Sequence, residues 1–207
     1  MSTDSYNDAM ISGIVLSAGE SSRFGSPKAL ALINGQPAIT FLIEKLLQTR
    51  LSEIIVVLGA DSVKIQTHVF KHKLIHIVYN NDYKFGQSSS VKAGLKALSP
   101  NTEKFMLIPI DGPFIKAETI DQLITIFERE QPKILIPTFE NHRGHPPIFN
   151  ITFKEQIQKL GHSLGINHIL KNNAQLIKTI ELKDPGITDS FNTPEEFATI
   201  KKTYNFT

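Results

Sequence analysis

The sequence predicts a three-layer α/β/α fold around a mostly parallel central sheet. Two observations carry this. Short, continuously apolar runs alternate with helix-period segments through roughly the first 140 residues, the pattern of strand–helix units whose strands pair in parallel. The polar, chemistry-bearing stretches fall at the carboxyl ends of those runs, where open α/β sheets bind ligands.

Taken in order, residues 11–16 form the first strand. Its run Ile14-Val15-Leu16 suits a strand buried on both faces. After a loop rich in Gly and Ser, Gln36-Pro37 opens a helix with Pro37 at its first position. Ile39, Leu42, Leu46 and Leu47 give that helix one apolar face. Residues 52–58 are the second strand, stopped by Gly59. Asp61 caps a weaker helix running through Val69-Phe70. Residues 74–79 are the third strand, ending in Asn80-Asn81-Asp82. A small polar turn over 86–90 precedes a helix with Val91, Leu95 and Leu98 that ends at Ser99-Pro100. Residues 104–110 are the fourth strand, ending at Asp111-Gly112-Pro113. A helix over 118–130 carries Ile120, Leu123, Ile124 and Phe127, and 133–139 is the fifth strand.

Residues 140–147 form a loop, and Ile148-Phe149 begins a short strand or turn. Short helices follow over 153–160 and 164–170, then a strand over 176–182 and a turn at Asp184-Pro185-Gly186. The last helix, 194–204, has Asn192-Thr193 as its cap and Glu195-Glu196 in its acidic first turn. No repeat or linker divides the chain, so 11–207 reads as one domain behind a polar, disordered tail of residues 1–10.

The chain has 207 residues, 41% hydrophobic and 20% charged, enough for a sizeable core and far from disorder. A net charge of +2 gives no electrostatic reason to expect nucleic-acid binding, so any anion site is local. There is no cysteine, which excludes disulfides and cysteine-ligated metals. No apolar run approaches the roughly 20 residues of a membrane helix. The expectation is a cytoplasmic protein with no membrane partner.

The most informative stretch lies between Leu16 and Lys28. Gly19, Gly25, Ser21, Ser22, Ser26, Arg23 and Lys28 sit in the turn that follows the first strand. Backbone N–H groups of such a loop can point at phosphate oxygens, with Arg23 and Lys28 adding positive charge. Ser26-Pro27 after Gly25 rules out a P-loop, and the glycine spacing rules out a dinucleotide fingerprint. The competing reading is an ordinary turn with two solvated cations.

Asp111, at a strand end beside that loop, suits Mg²⁺, which takes one or two carboxylates plus phosphate oxygens; the alternative is a turn-forming aspartate. Asn80 and Ser88, Ser89 and Ser90 suit recognition of a base or ribose, or else form a serine-rich helix cap. Asn141, Arg143 and His145 present donors to an anionic or heterocyclic substrate, or belong to a loop that merely turns the chain. His68, His72 and His76 read as a solvated patch, not a metal site. No nucleophile motif is present, which favours a reaction catalysed by positioning and charge.

These motifs together resemble the MobA-like NTP transferase family, and within it most closely the molybdenum cofactor cytidylyltransferases. The resemblance rests on Leu16-Ser17-Ala18-Gly19, Arg23-Phe24-Gly25, Lys28, Asn80 with Gly86 and Ser89, Asp111-Gly112-Pro113, Arg143-Gly144-His145-Pro146 and Asn192-Thr193-Pro194-Glu195-Glu196. They run in the family's order along nearly the whole chain. The resemblance implies a Rossmann-like, glycosyltransferase-A-like nucleotidyltransferase fold. It implies a reaction in which a substrate phosphate attacks the α-phosphate of a nucleoside triphosphate and pyrophosphate leaves. Leu16, Ala18, Gly19, Asn80, Ser89 and Asp111 would bind the nucleotide. Arg23 would bind the leaving phosphates, Lys28 would stabilise the α-phosphate, and Asp111 would hold Mg²⁺. Arg143 and His145 would bind a molybdopterin-type phosphorylated acceptor. A molybdoenzyme or chaperone would be the delivery partner.

Ala18 resembles the cytidylyl branch and points to CTP, whereas Asn192 resembles the guanylyl branch and points to GTP. Ser17 stands where the family usually has Ala. Asn192 is a poorer Mg²⁺ ligand than a carboxylate, which leaves Asp189 as a second candidate ligand. The other readings are a nucleotidyltransferase for a sugar- or polyol-phosphate and a non-catalytic nucleotide-binding protein.

Overall fold

The computed structural model describes residues 10–161 and 164–207. Most of the expected disordered tail, residues 1–9, lies outside them, as do 162 and 163. The strands are β1 (Ile11–Ser17), β2 (Leu32–Ile33), β3 (Gln36–Pro37), β4 (Glu53–Leu58), β5 (Ile75–Tyr79), β6 (Lys104–Pro109), β7 (Ile134–Phe139), β8 (His142–Arg143), β9 (Ile148–Asn150) and β10 (Ile177–Glu181). The helices are α1 (Ala38–Leu46), α2 (Ser62–Ile65), α3 (Gln87–Ala97), α4 (Ala117–Glu130), α5 (Lys154–Gln158), α6 (Ile166–Asn172) and α7 (Pro194–Thr203).

The eight-stranded sheet runs β10-β7-β9-β6-β1-β4-β5, with β8 paired to β7. Its strands are parallel except β9, which pairs antiparallel with β6 and β7, and the short β8. The period-2 alternation of strand side chains splits the apolar residues between two faces. Ile54, Val56, Met106 and Ile108 pack with α1, α2 and α4. Ile55, Val57, Phe105 and Leu107 pack with α3, α5 and α6. This is the expected three-layer arrangement.

Three local expectations need correction. Pro37 does not start a helix; it closes a hairpin, and α1 begins one residue later. Asn34 and Gly35 at the hairpin tip have φ of 50° and 77°, the left-handed pair that a two-residue turn of the I′ kind requires. Asp61 stands at the start of α2 in the left-handed region, and its side chain makes no capping bond; it pairs instead with Lys64 at 3.2 Å. The segment after α2 leaves helical geometry by Val69, which is extended. The Thr193–Glu196 capping box at α7 forms as the sequence suggests.

A third cluster lies beside the sheet. Phe114, Phe191 and Phe197 pack with Phe24, Tyr204 and Phe206. It ties the first loop, through Phe24, to α7, with Phe24 and Phe191 ring centroids 5.3 Å apart.

At the opposite edge from the polar loops, Glu53 is buried and accepts from Ser12 Oγ at 2.5 Å, Ser99 Oγ at 2.8 Å and Thr102 Oγ1 at 3.0 Å. Burial raises its pKa, but these donors outweigh burial and hold it below the ordinary glutamate value. The carboxylate thus stitches β1 and β4 to the turn before β6. Glu53→Gln is expected to cost about 3 kcal/mol of unfolding free energy near neutral pH. Because the folded-state pKa is depressed, that stabilisation is present above 4.5 and is lost as pH falls through the lowered value. Denaturant melts of both proteins across that range test this; a gap that ignores pH would refute it.

Candidate active site

The carboxyl ends of β1 and β6 and the segment after β5 enclose a cavity of about 370 Å³, a size typical of small-ligand sites. Leu16 and Ser17 contribute from β1 with Ala18 just beyond it, and Pro109 from β6 with Ile110 and Asp111 just beyond it. Tyr83, Lys84, Gly86 and Gln87 form the far wall. The loop over 19–28 forms the rim.

Ser21 shapes this loop. Its φ is 53°, its carbonyl accepts from the N–H groups of Phe24 and Gly25, and its Oγ accepts from Lys28 N–H at 3.1 Å. Gly25 has φ 80°, a conformation that side chains resist. Gly19 differs: a Cβ there would meet nothing within 4 Å. Protein packing does not require that glycine, whereas backbone access for a ligand would.

Lys28 Nζ lies 3.1 Å from Asp111 Oδ2 and donates to Asn192 Oδ1 at 2.9 Å. Arg23 Nη2 donates to the same Asn192 oxygen at 2.9 Å. Lys28 also sits 5.8 Å from the Phe191 ring centroid. The structure therefore brings three sequence-selected residues, Arg23, Lys28 and Asp111, to one node. Lys28 and Asp111 line the cavity; Arg23 stands beside it, held through Asn192.

Asn80 is buried under the start of α3, where its amide donates to Ser89 Oγ at 2.8 Å and Ser90 Oγ at 3.0 Å. Ser90, not Ser89, lines the cavity, so Asn80 and Ser89 shape the wall from behind. Ser17 is buried, and among the described residues its hydroxyl has no hydrogen-bond partner. An orphaned polar atom of this kind costs about 1–3 kcal/mol until something satisfies it.

Arg143 and His145 line a different cavity, of about 470 Å³, walled by Ile136, Pro147 and Leu170 with Asn167 and Lys171 of α6. Gly144 is required here, because a Cβ would lie 2.1 Å from the Ile187 carbonyl oxygen. His145 keeps an exposed surface, yet the protein around it desolvates the ring and holds its pKa below the ordinary value, with the Asp111 charge opposing. The ring is therefore neutral near pH 7.

Residues 13–178 match the model of the MobA-like NTP transferase domain. The chain belongs to that family. The probable molybdenum cofactor guanylyltransferase of Thermococcus sibiricus is 29% identical over 160 residues, 74% of this chain and 77% of the relative. The molybdenum cofactor cytidylyltransferase of Escherichia coli is 26% identical over 191 residues, 92% and 95% of the two chains. Rv0371c of Mycobacterium tuberculosis, solved as a manganese complex, superposes with a TM-score of 0.78 at 16% identity, covering 94% of this chain and 98% of that one; at that identity the likeness speaks for the fold. The relatives include both guanylyl and cytidylyl branches.

Enzymes of this nucleotidyltransferase kind generally use a divalent metal. Among the described residues there is no cluster of three or more His, Cys, Asp or Glu side chains. Asp189, the second candidate ligand, accepts from Tyr204 through Oδ2 at 2.7 Å, which leaves Oδ1 as the oxygen it could offer a metal. One half-buried carboxylate, Asp111, still fits an ion that completes its shell with phosphate oxygens and water. Among the described residues, no helix is long and apolar enough to cross a membrane.

Sequence reasoning missed the wall formed by Tyr83, Lys84 and Gln87, where the only signal is their place between Asn80 and Gly86. It also missed Lys45 of α1, whose Nζ donates to the Pro113 carbonyl at 2.6 Å and so braces the turn carrying Asp111. Burial lowers the Lys45 pKa from 10.5 to about 8, against the charges of Asp184 and Glu118. Between those two values the unfolded chain holds the proton and the folded one does not, so this group makes stability rise with pH. Thermal melts from pH 8 to 10.5 should show a steeper rise, or a shallower fall, for wild type than for Lys45→Met. Identical slopes would remove Lys45 from this role.

Proposed function

We propose that this chain transfers a nucleoside monophosphate from a nucleoside triphosphate to the phosphate of molybdopterin or molybdenum cofactor, releasing pyrophosphate. The 3.1 Å contact between Lys28 and Asp111 at the mouth of the β1–β6 cavity carries this reading. It joins the cation for a reacting phosphate to the carboxylate for a metal. The orphaned Ser17 hydroxyl and the clearance above Gly19 support a ligand in the same place.

In the reaction, an oxygen of the acceptor phosphate attacks the α-phosphorus, and the bond from that phosphorus to the bridging oxygen breaks. The electron pair leaves on pyrophosphate. Loop backbone around Gly19 receives the triphosphate. Lys28, released from Asp111, meets the charge that builds on the α-phosphate, and Arg23 meets the leaving phosphates. Asp111 would hold Mg²⁺ with triphosphate oxygens, and the bound ion would offset charge on the leaving group. Arg143 and His145 orient the acceptor from the second cavity.

CTP is slightly favoured over GTP on Ala18; the guanylyl reading draws on Asn192. Residues 11–207 act as one nucleotidyltransferase unit in the cytoplasm, and the product passes to a molybdoenzyme or its chaperone.

Pyrophosphate release, measured with each of the four triphosphates and molybdopterin, tests the reading. Release is expected with CTP or GTP, lost with a chelator and restored by Mg²⁺. Silence with all four would overturn it, and release only with sugar- or polyol-phosphates would redirect it. Lys28→Ala is expected to lower turnover by about 100- to 1,000-fold. Its melting temperature should move by a few degrees at most, since the charge acts mainly in the transition state. A wild-type rate in that variant would exclude the role.

A further inference from the structure

We infer that α6 completes the acceptor site, with Lys171 and Asn167 joining Arg143 in a cavity that takes a planar heterocycle bearing an anionic group. The inference rests on the transferase reading only for the identity of that acceptor. Arg143 comes from β8, and Asn167 and Lys171 come from α6, yet they line one space of about 470 Å³. Ile136, Pro147 and Leu170 supply its apolar walls, and among the described residues no carboxylate lines it. Among the described residues, neither Arg143 nor Lys171 has a side-chain hydrogen bond or ion pair; both are exposed.

Two unpaired cations that share an aqueous cavity repel each other and are relieved by an anion placed between them. The guanidinium also stacks on flat rings, and the apolar walls suit the faces of such a ring. Arg143 and Lys171 thus select charge, the walls select a flat body, and Asn167 offers both a donor and an acceptor to ring edges. The triphosphate has its own cations, Lys28 and Lys84, in the other cavity. The bland account of Lys171 is that a basic residue in the last turn of a helix complements its dipole. That role would affect stability and leave ligand binding unchanged.

The probe is a fluorescent pterin carboxylate titrated into the full chain without nucleotide, with unsubstituted pterin as the uncharged control. Wild type should bind the carboxylate more tightly than the control, and added salt should weaken it. Lys171→Met should weaken it by about tenfold or more, the scale of one charge-assisted hydrogen bond. Lys171→Arg should restore most of the loss, and Asn167→Ala should weaken binding of both pterins. Calorimetric binding of CTP and GTP with Mg²⁺ should be the same in all variants. No binding by wild type, or wild-type affinity in Lys171→Met, would overturn the assignment. Turnover with molybdopterin separates the two readings. Lys171-dependent pterin binding without turnover sinks the transfer reading and keeps the cavity. Turnover with an unchanged acceptor KM in Lys171→Met does the reverse.

Discussion

The site depends on one ammonium group held between two oxygens of different origin. Lys28 Nζ touches Asp111 at the end of β6 and Asn192 just before α7. Lys28 itself lies at the end of the loop that leaves β1. Three distant parts of the sequence therefore meet at one charge. The arrangement is partly shielded, since the Lys28 side chain is only 12% exposed. A charge in that position retains more of its Coulomb interaction than one in bulk water.

Apolar packing makes that meeting possible. β1 and β6 are adjacent and parallel, so their carboxyl ends, and with them Ala18 and Asp111, finish at the same edge. The loop after β1 could still swing freely. Phe24 prevents this by inserting among Phe191 and Phe197, whose mutual centroid distance is 4.5 Å. The aromatic cluster lies outside the two main sheet faces, and its work is to dock α7 against the loop. Phe191 N–H donates to the Asp111 carbonyl at 3.0 Å, so the backbone fixes the same contact that the side chains use.

The alternation of strands and helices was legible because each buried parallel strand is a short apolar run, and the polar signatures were legible because they end those runs. The antiparallel insertion of β9 between β6 and β7 was not. Ile148-Phe149 is apolar in either direction, and pairing partners are set by the three-dimensional crossover. The hairpin at Asn34-Gly35 was readable, since that dipeptide is a strong turn signal, but Pro37 drew the boundary of the helix forward. Arg23, Lys28 and Asp111 could be chosen from local pattern. That Arg143 and His145 serve a separate cavity could not, because it depends on α6, a short helix with no motif of its own.

The departure at Asn192 acquires a physical sense from the same node. A carboxylate there would sit between Lys28 and Arg23 as the compensating charge for both. The amide oxygen accepts from the two cations at 2.9 Å each without neutralising either. It positions them and leaves Asp111 as the compensating charge on Lys28. Glu196, which accepts from the Thr193 N–H at 3.3 Å as half of the α7 capping box and from the Asn192 N–H at 2.6 Å, keeps that residue in place. The helix cap and the two cations are therefore one construction, and a neutral residue at their meeting point costs less electrostatically to displace than a carboxylate would.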